Sequence, residues 1–111
     1  MTISGKNIQM IGFDKLDPVE INIVNEMLQV YLKKLDNKTD YELLKLKLKM
    51  HQKSTIFMHE LESELIIHPG VSFSATLTHK NLYKATSLVM KKLLSEVDHI
   101  NKKESIKARR R

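Results

Sequence analysis

Three glutamates at alternate positions, Glu60, Glu62 and Glu64, and five histidines, at 51, 59, 68, 79 and 99, are the residues here that could do acid–base or metal chemistry. A strand would set the three carboxylates on one face but about 7 Å apart from one to the next, too far for all three to close on one ion. The histidines have no metal-ligand spacing. His59 falls on the inward face of its strand, the place of a hydrogen-bonded core or edge histidine. Asp98 and His99 are adjacent on a helical pattern and so point different ways, which makes no catalytic pair. Three glycines supply no phosphate-cradling loop, and the absence of cysteine excludes disulfides, thiol catalysis and cysteine metal sites. The expectation is a protein that is not an enzyme, with no cofactor, no metal and no small-molecule substrate. What remains is the chemistry of its cations.

The net charge is +6, and its placement is uneven. Residues 102–111, KKESIKARRR, carry six basic groups and one acidic group, whereas the first 101 residues carry 13 and 12. A basic surface on the folded part must therefore come from segregated charges. One candidate is LLKLKLKM, Leu43 to Met50, whose alternation sets Lys45, Lys47 and Lys49 on one strand face. If this strand pairs with FMHELESEL in an antiparallel hairpin, these lysines meet Glu64, Glu62 and Glu60. Such pairs contribute roughly 0.2–1 kcal/mol each and penalise a register slip. A salt-laced solvated face is the favoured reading, because carboxylates beside the lysines repel phosphate; contact of this comb with RNA is the other.

The helical segments offer a cleaner arrangement. At about 100° per residue, Lys80, Lys84, Lys91 and Lys102 share a narrow band opposite the apolar stripe of the last helix, with Ser87, Ser95 and Asp98 among them and Lys92 on the flank. The first helix adds Lys33 outward and Lys34 on its flank. Lysine is also favoured near helix C-termini by the dipole alone. Arg109, Arg110 and Arg111 extend the positive field of the last helix.

The elements that would position these groups are legible from periodicity. KNIQMIGF, Lys6 to Phe13, reads as a first strand. DPVE then predicts a helix start, with Asp17 as cap, Pro18 at the first helical position and Glu20 closing a capping box. Ile21, Val24, Leu28, Tyr31 and Leu35 give an apolar stripe to about Asp36. Beyond DNKTD the period changes to two, with Leu44, Leu46, Leu48 and Met50 on one face. A second strand follows, with Phe57, His59, Leu61, Ser63 and Leu65 inward, then an HPG turn and VSFSATLT with Val71, Phe73, Ala75 and Leu77 inward. A last helix runs from about Asn81 to Lys102, its stripe being Leu82, Ala85, Val89, Leu93, Val97 and Ile100. The order β-α-β-β-β-α predicts an α+β fold with two helices packed on one face of a four-stranded sheet. At 111 residues one domain is expected over residues 1–103, followed by a disordered basic tail over 104–111.

HKNLYKATSLVMKKL, His79 to Leu93, resembles the hallmark segment of the ribosome hibernation-promoting factors and ribosome-associated inhibitors, with Asn81, Leu82, Tyr83, Ala85, Lys92 and Leu93 in the matching places. ISGKNIQM and YLKKL, Tyr31 to Leu35, are similar to the family as well, as is a basic segment after the last helix. IGFDKLDP is longer than the family's usual connection, Asn81 stands where Asp is commoner, and Ser95, Glu96 and Asp98 stand where many members carry basic residues. The resemblance implies a short, single-domain member that binds the small ribosomal subunit through its ribosomal RNA. It would occupy the channel of messenger and transfer RNA and inhibit translation under stress. Position by position it implies Lys92 as the foremost phosphate contact, with Lys33, Lys34, Lys84, Lys91, Lys102 and Lys103 beside it, and Tyr83 as either a packing residue or a contact. The longer, dimerising members carry a further C-terminal domain for which this chain is too short, so a monomer is expected when the protein is free.

The alternative from the residues themselves is a small α+β module that binds structured RNA outside the ribosome or a protein partner. No apolar run approaches the roughly 20 residues that span a bilayer, and the N-terminus lacks the pattern of a signal peptide. The expected location is cytoplasmic, with no membrane partner.

Overall fold

The computed structural model describes the backbone of residues 8–109 and the side chains of residues 8–101. Four strands, β1 (Ile8–Ile11), β2 (Leu43–Lys53), β3 (Ile56–His68) and β4 (Val71–His79), form one sheet in the order β1-β2-β3-β4. β1 and β2 are parallel, joined through helix α1 (Pro18–Lys38), and β2, β3 and β4 form an antiparallel meander followed by helix α2 (Leu82–Arg109). This is the expected α+β order. Lys6 and Asn7, which the sequence assigns to the first strand, lie outside the described residues.

Alternation settles which face of the sheet is covered. Ile8 and Met10 of β1, Leu44, Leu46 and Leu48 of β2, and Leu61 and Leu65 of β3 are all buried. They pack with Val24, Leu28 and Leu35 of α1 and Ala85, Val89, Leu93 and Val97 of α2 in one core. Leu32 of α1 and Met90 of α2 are also buried, widening both stripes beyond the sequence reading, while Ile100 is only half-buried. Ser63 is buried on the same inward face, and its hydroxyl donates to the Ala75 carbonyl at 3.0 Å, so its burial leaves no unmet polar group.

The connection after β1 is longer than a simple turn because it does packing work. Gly12, at φ 84°, bends the chain into a short 3₁₀ turn, Phe13–Lys15, and both Phe13 and the following Leu16 are buried in the core. α1 then opens on the expected capping box: the Glu20 amide donates to Asp17 Oδ1 at 2.9 Å, and the Asp17 amide donates to Glu20 Oε1 at 3.2 Å. α2 opens on Asn81, whose Oδ1 accepts from the amides of Tyr83 at 2.9 Å and Lys84 at 3.1 Å. An amide oxygen therefore satisfies the helix entrance without a carboxylate. The α2 backbone continues past Lys102, the end expected from the apolar stripe, to Arg109. Residues 103–108, KESIKA, contain no Gly or Pro to stop a helix.

No helix among the described residues is long and apolar enough to cross a membrane.

Candidate nucleic-acid interface

α1 and α2 lie side by side on the covered face. Because β1 and β4 point the same way across the meander and each leads back through its helix, the two helices run parallel. Among the described residues three hydrogen bonds link them. Tyr31 Oη and Ser87 Oγ share a hydrogen bond of 2.6 Å. Lys38 Nζ donates to Asp98 Oδ1 at 2.6 Å, and Asn101 Nδ2 donates to the Lys38 carbonyl at 3.1 Å.

This pairing places the predicted cations. Lys33, Lys34, Lys84, Lys91 and Lys92 are all exposed. Lys34 and Lys91 each lie one turn beyond the Tyr31–Ser87 contact on their own helix. The Lys34 ammonium sits 5.6 Å from the centroid of the Tyr31 ring, a cation–π distance that holds the charge near the helix surface. Lys84 lies one turn before Ser87, on the same side of α2 as Lys91. Lys92 lies on the flank of α2, about 100° round the helix from Lys91 and further from the Ser87 contact. Lys102, Lys103 and Arg109 belong to the α2 backbone, and their side chains lie outside the described residues, as do Arg110 and Arg111 entirely. Tyr83 is half-buried and packs against the core.

Two features of this face were not visible in the sequence. Asp98, which interrupts the lysine band, is met by Lys38, so its negative charge is partly offset where it faces α1. The partners are 60 residues apart, and no local pattern could join them. The outer side of α1 is also less polar than its lysines suggest: Val19 is 66% exposed and Val30 56%, with Ile23 at 37% between them. They share one stripe, and the basic character of α1 is confined to its last two turns.

The lysine comb lies on the opposite, open face. The register is the expected one, Lys45 opposite Glu64, Lys47 opposite Glu62 and Lys49 opposite Glu60. The close contacts are diagonal rather than direct: Lys49 Nζ reaches Glu62 Oε1 at 3.3 Å, and His51 Nε2 reaches Glu60 Oε1 at 3.3 Å. Long side chains span diagonal neighbours on a twisted sheet. The Lys49 hydrogen bond, together with a Glu60 hydrogen bond and the nearby Lys47 charge, holds the Glu62 carboxyl below its ordinary range. Lys45 and Lys47 line a shallow depression of about 400 Å³ with Glu62, Glu64, Ser74 and Thr76. A phosphate entering it would meet carboxylates as well as ammonium groups.

Among the described residues no group of three or more His, Asp or Glu side chains could hold a metal ion. His59 is half-buried, and its Nδ1 is 3.1 Å from the Lys80 carbonyl oxygen, the hydrogen-bonded role expected for it. His79 Nδ1 accepts from the Asn81 amide at 2.9 Å, which ties the end of β4 to the start of α2.

No family model matches the sequence, and no curated protein matches it. Solved structures do share its fold. The N-terminal domain of Thermus thermophilus Protein Y matches with a TM-score of 0.56 and 17% identity, covering 86% of this chain and 98% of that one. A ribosomal subunit interface protein from Coxiella burnetii matches with a TM-score of 0.54 and 17% identity, covering 86% of this chain and 97% of that one. This chain thus shares its fold with both proteins, over nearly their whole length.

Proposed function

We propose that this protein is a non-catalytic ribosome-binding factor of the cytoplasm that occupies the messenger and transfer RNA channel of the small subunit and inhibits translation in idle or stressed cells. The observation that supports this reading is the conjunction of a fold shared with a ribosomal subunit interface protein with exposed lysines, Lys33, Lys34, Lys84, Lys91 and Lys92, grouped on one helix layer. Phosphate is the natural partner of such a layer. Ammonium groups neutralise it without reading bases, so affinity is salt-dependent and largely indifferent to sequence. Five engaged lysines would give a slope of log affinity against log salt of roughly −4.

Sucrose-gradient sedimentation of purified small subunits with the protein, at low and moderate salt, tests this. Salt-sensitive co-migration that transfer RNA or messenger RNA displaces is the expected result. Failure to bind at low salt would reduce the likeness to one of fold only. A second reading, a protein partner docked on the helices, is favoured by the exposed Val19, Ile23 and Val30 of α1. In that case the partner would bind with little dependence on salt.

A further inference from the structure

The sheet ends in β1 on one side and β4 on the other. β4 runs for nine residues, Val71–His79, and carries no Lys, Arg, Asp, Glu or Pro. Folded proteins ordinarily blunt a long edge with a charge, a proline or a bulge. The irregularity in the β3–β4 register lies only at its start, between Ile66 and His68.

The hydrogen-bonding direction of this edge follows from two bonds. The Ile66 carbonyl accepts from the Glu42 amide, so it points to the β2 side, and alternation turns Ser63 toward β4. The Ala75 carbonyl points back to β3, where Ser63 Oγ donates to it. The amides and carbonyls of Ser72, Ser74, Thr76 and Thr78 therefore face the free edge.

We propose that β4 pairs antiparallel with β4 of a second copy of this chain, about a two-fold axis at Ala75, to form a continuous eight-stranded sheet. Ala75 is the middle of the strand, so this register overlaps it fully. It sets Ser74 opposite Thr76 and Ser72 opposite Thr78, and each such pair exchanges two backbone bonds through the groups that face the edge. On the open face hydroxyl meets hydroxyl, a favourable cross-strand pairing. On the covered face Phe73 meets Leu77. No like charges are opposed, and the same patch serves both copies, as a two-fold interface requires. α2 packs on β3 and β4, and it exposes Leu88, at 38%, about 100° round the helix from the Ser87 that meets α1. In the paired form a second copy on β4 would bring apolar surface toward this side of α2. This departs from the monomer expected from the sequence, and it does not depend on the ribosomal reading.

Sedimentation equilibrium of the full chain, without RNA, tests the pairing. The expected result is a mass that rises from one chain to two with concentration. Thr76→Lys places a charge on the edge next to Glu62, where the fold tolerates it, and raises the dissociation constant at least about tenfold. Ser74→Pro removes an amide that faces only the edge and has the same effect, with the circular dichroism of both variants unchanged. Because the chain has no cysteine, Ala75→Cys reports the register: oxidation links two chains, whereas Ser72→Cys, opposite Thr78, does not self-link. A single-chain mass at millimolar concentration would overturn the proposal. So would a dimer that both edge variants leave intact, or a monomer that captures only unrelated extended peptides.

Discussion

The Tyr31 hydroxyl and Ser87 Oγ lie 2.6 Å apart and join the later part of α1 to the second turn of α2. Tyr31 also holds the Lys34 ammonium over its ring, so one aromatic side chain sets both the helix spacing and the position of a cation. Tyr31→Phe should cost about 1 kcal/mol, the usual net value of one hydrogen bond. Ser87→Ala should cost about the same, and the double variant little more than either, since the hydroxyls satisfy each other. Chemical denaturation of the four proteins closes the cycle. Fully additive losses would mean that the two hydroxyls do not interact.

The two lysine sets predict opposite phenotypes. Reversing Lys84, Lys91 and Lys92 to Glu should weaken RNA or small-subunit binding by orders of magnitude and flatten its salt dependence, at nearly unchanged stability, because these side chains are exposed. Reversing Lys45 and Lys47 should instead lower stability, because it sets carboxylates opposite Glu64 and Glu62. Binding titrations and melting curves on both variants separate the two effects. Equal binding losses at equal stability would refute the assignment of the RNA surface to the helices.

What the sequence revealed, and what it hid, follows from the range of each interaction. The β2–β3 register was legible because leucine and charge alternate in both strands, so a one-residue slip would bury Lys47 or Glu62. The start of α1 was legible because Asp17, Pro18 and Glu20 form a local signal. The Lys38–Asp98 pair was hidden by its separation of 60 residues, and it changes how Asp98 is understood. The sequence pattern ends the first strand at Phe13, but Gly12 turns the chain there and Phe13 is buried by a 3₁₀ turn. The free edge of β4 was hidden too, since strand order, not strand pattern, decides which strand lies outermost.

Gly12 and Gly70 share a left-handed backbone, at φ 84° and 87°, but not the same surroundings. A Cβ on Gly12 would stand 2.3 Å from the Leu48 carbonyl oxygen, whereas one on Gly70 would meet nothing within 4 Å. Gly70→Ala should therefore cost only the backbone penalty, about 1 kcal/mol. Gly12→Ala adds a clash with the backbone of a central strand and should cost about 3 kcal/mol or more. Denaturant midpoints measure both. Equal costs would show that β2 can move away from the turn, and that the close approach of Gly12 to Leu48 is not required for packing.

Tyr41 provides a test at high pH. It is 5% exposed, and burial, with the negative charge of Asp36 as a second cause, pushes its phenol up from 10.0 to about 12. The folded state thus favours the neutral phenol. A group whose pKa is raised on folding contributes its stability fully below the unfolded value and loses it as pH climbs through the folded one. The loss should fall between about pH 10 and pH 12 and amount to at most about 3 kcal/mol. Lysines lose their charge in the same range, so the informative quantity is the difference between the native protein and Tyr41→Phe, which share every lysine. The native protein should lose stability more steeply across this interval. Parallel curves would mean that the Tyr41 phenol ionises as readily in the folded chain as in the unfolded one.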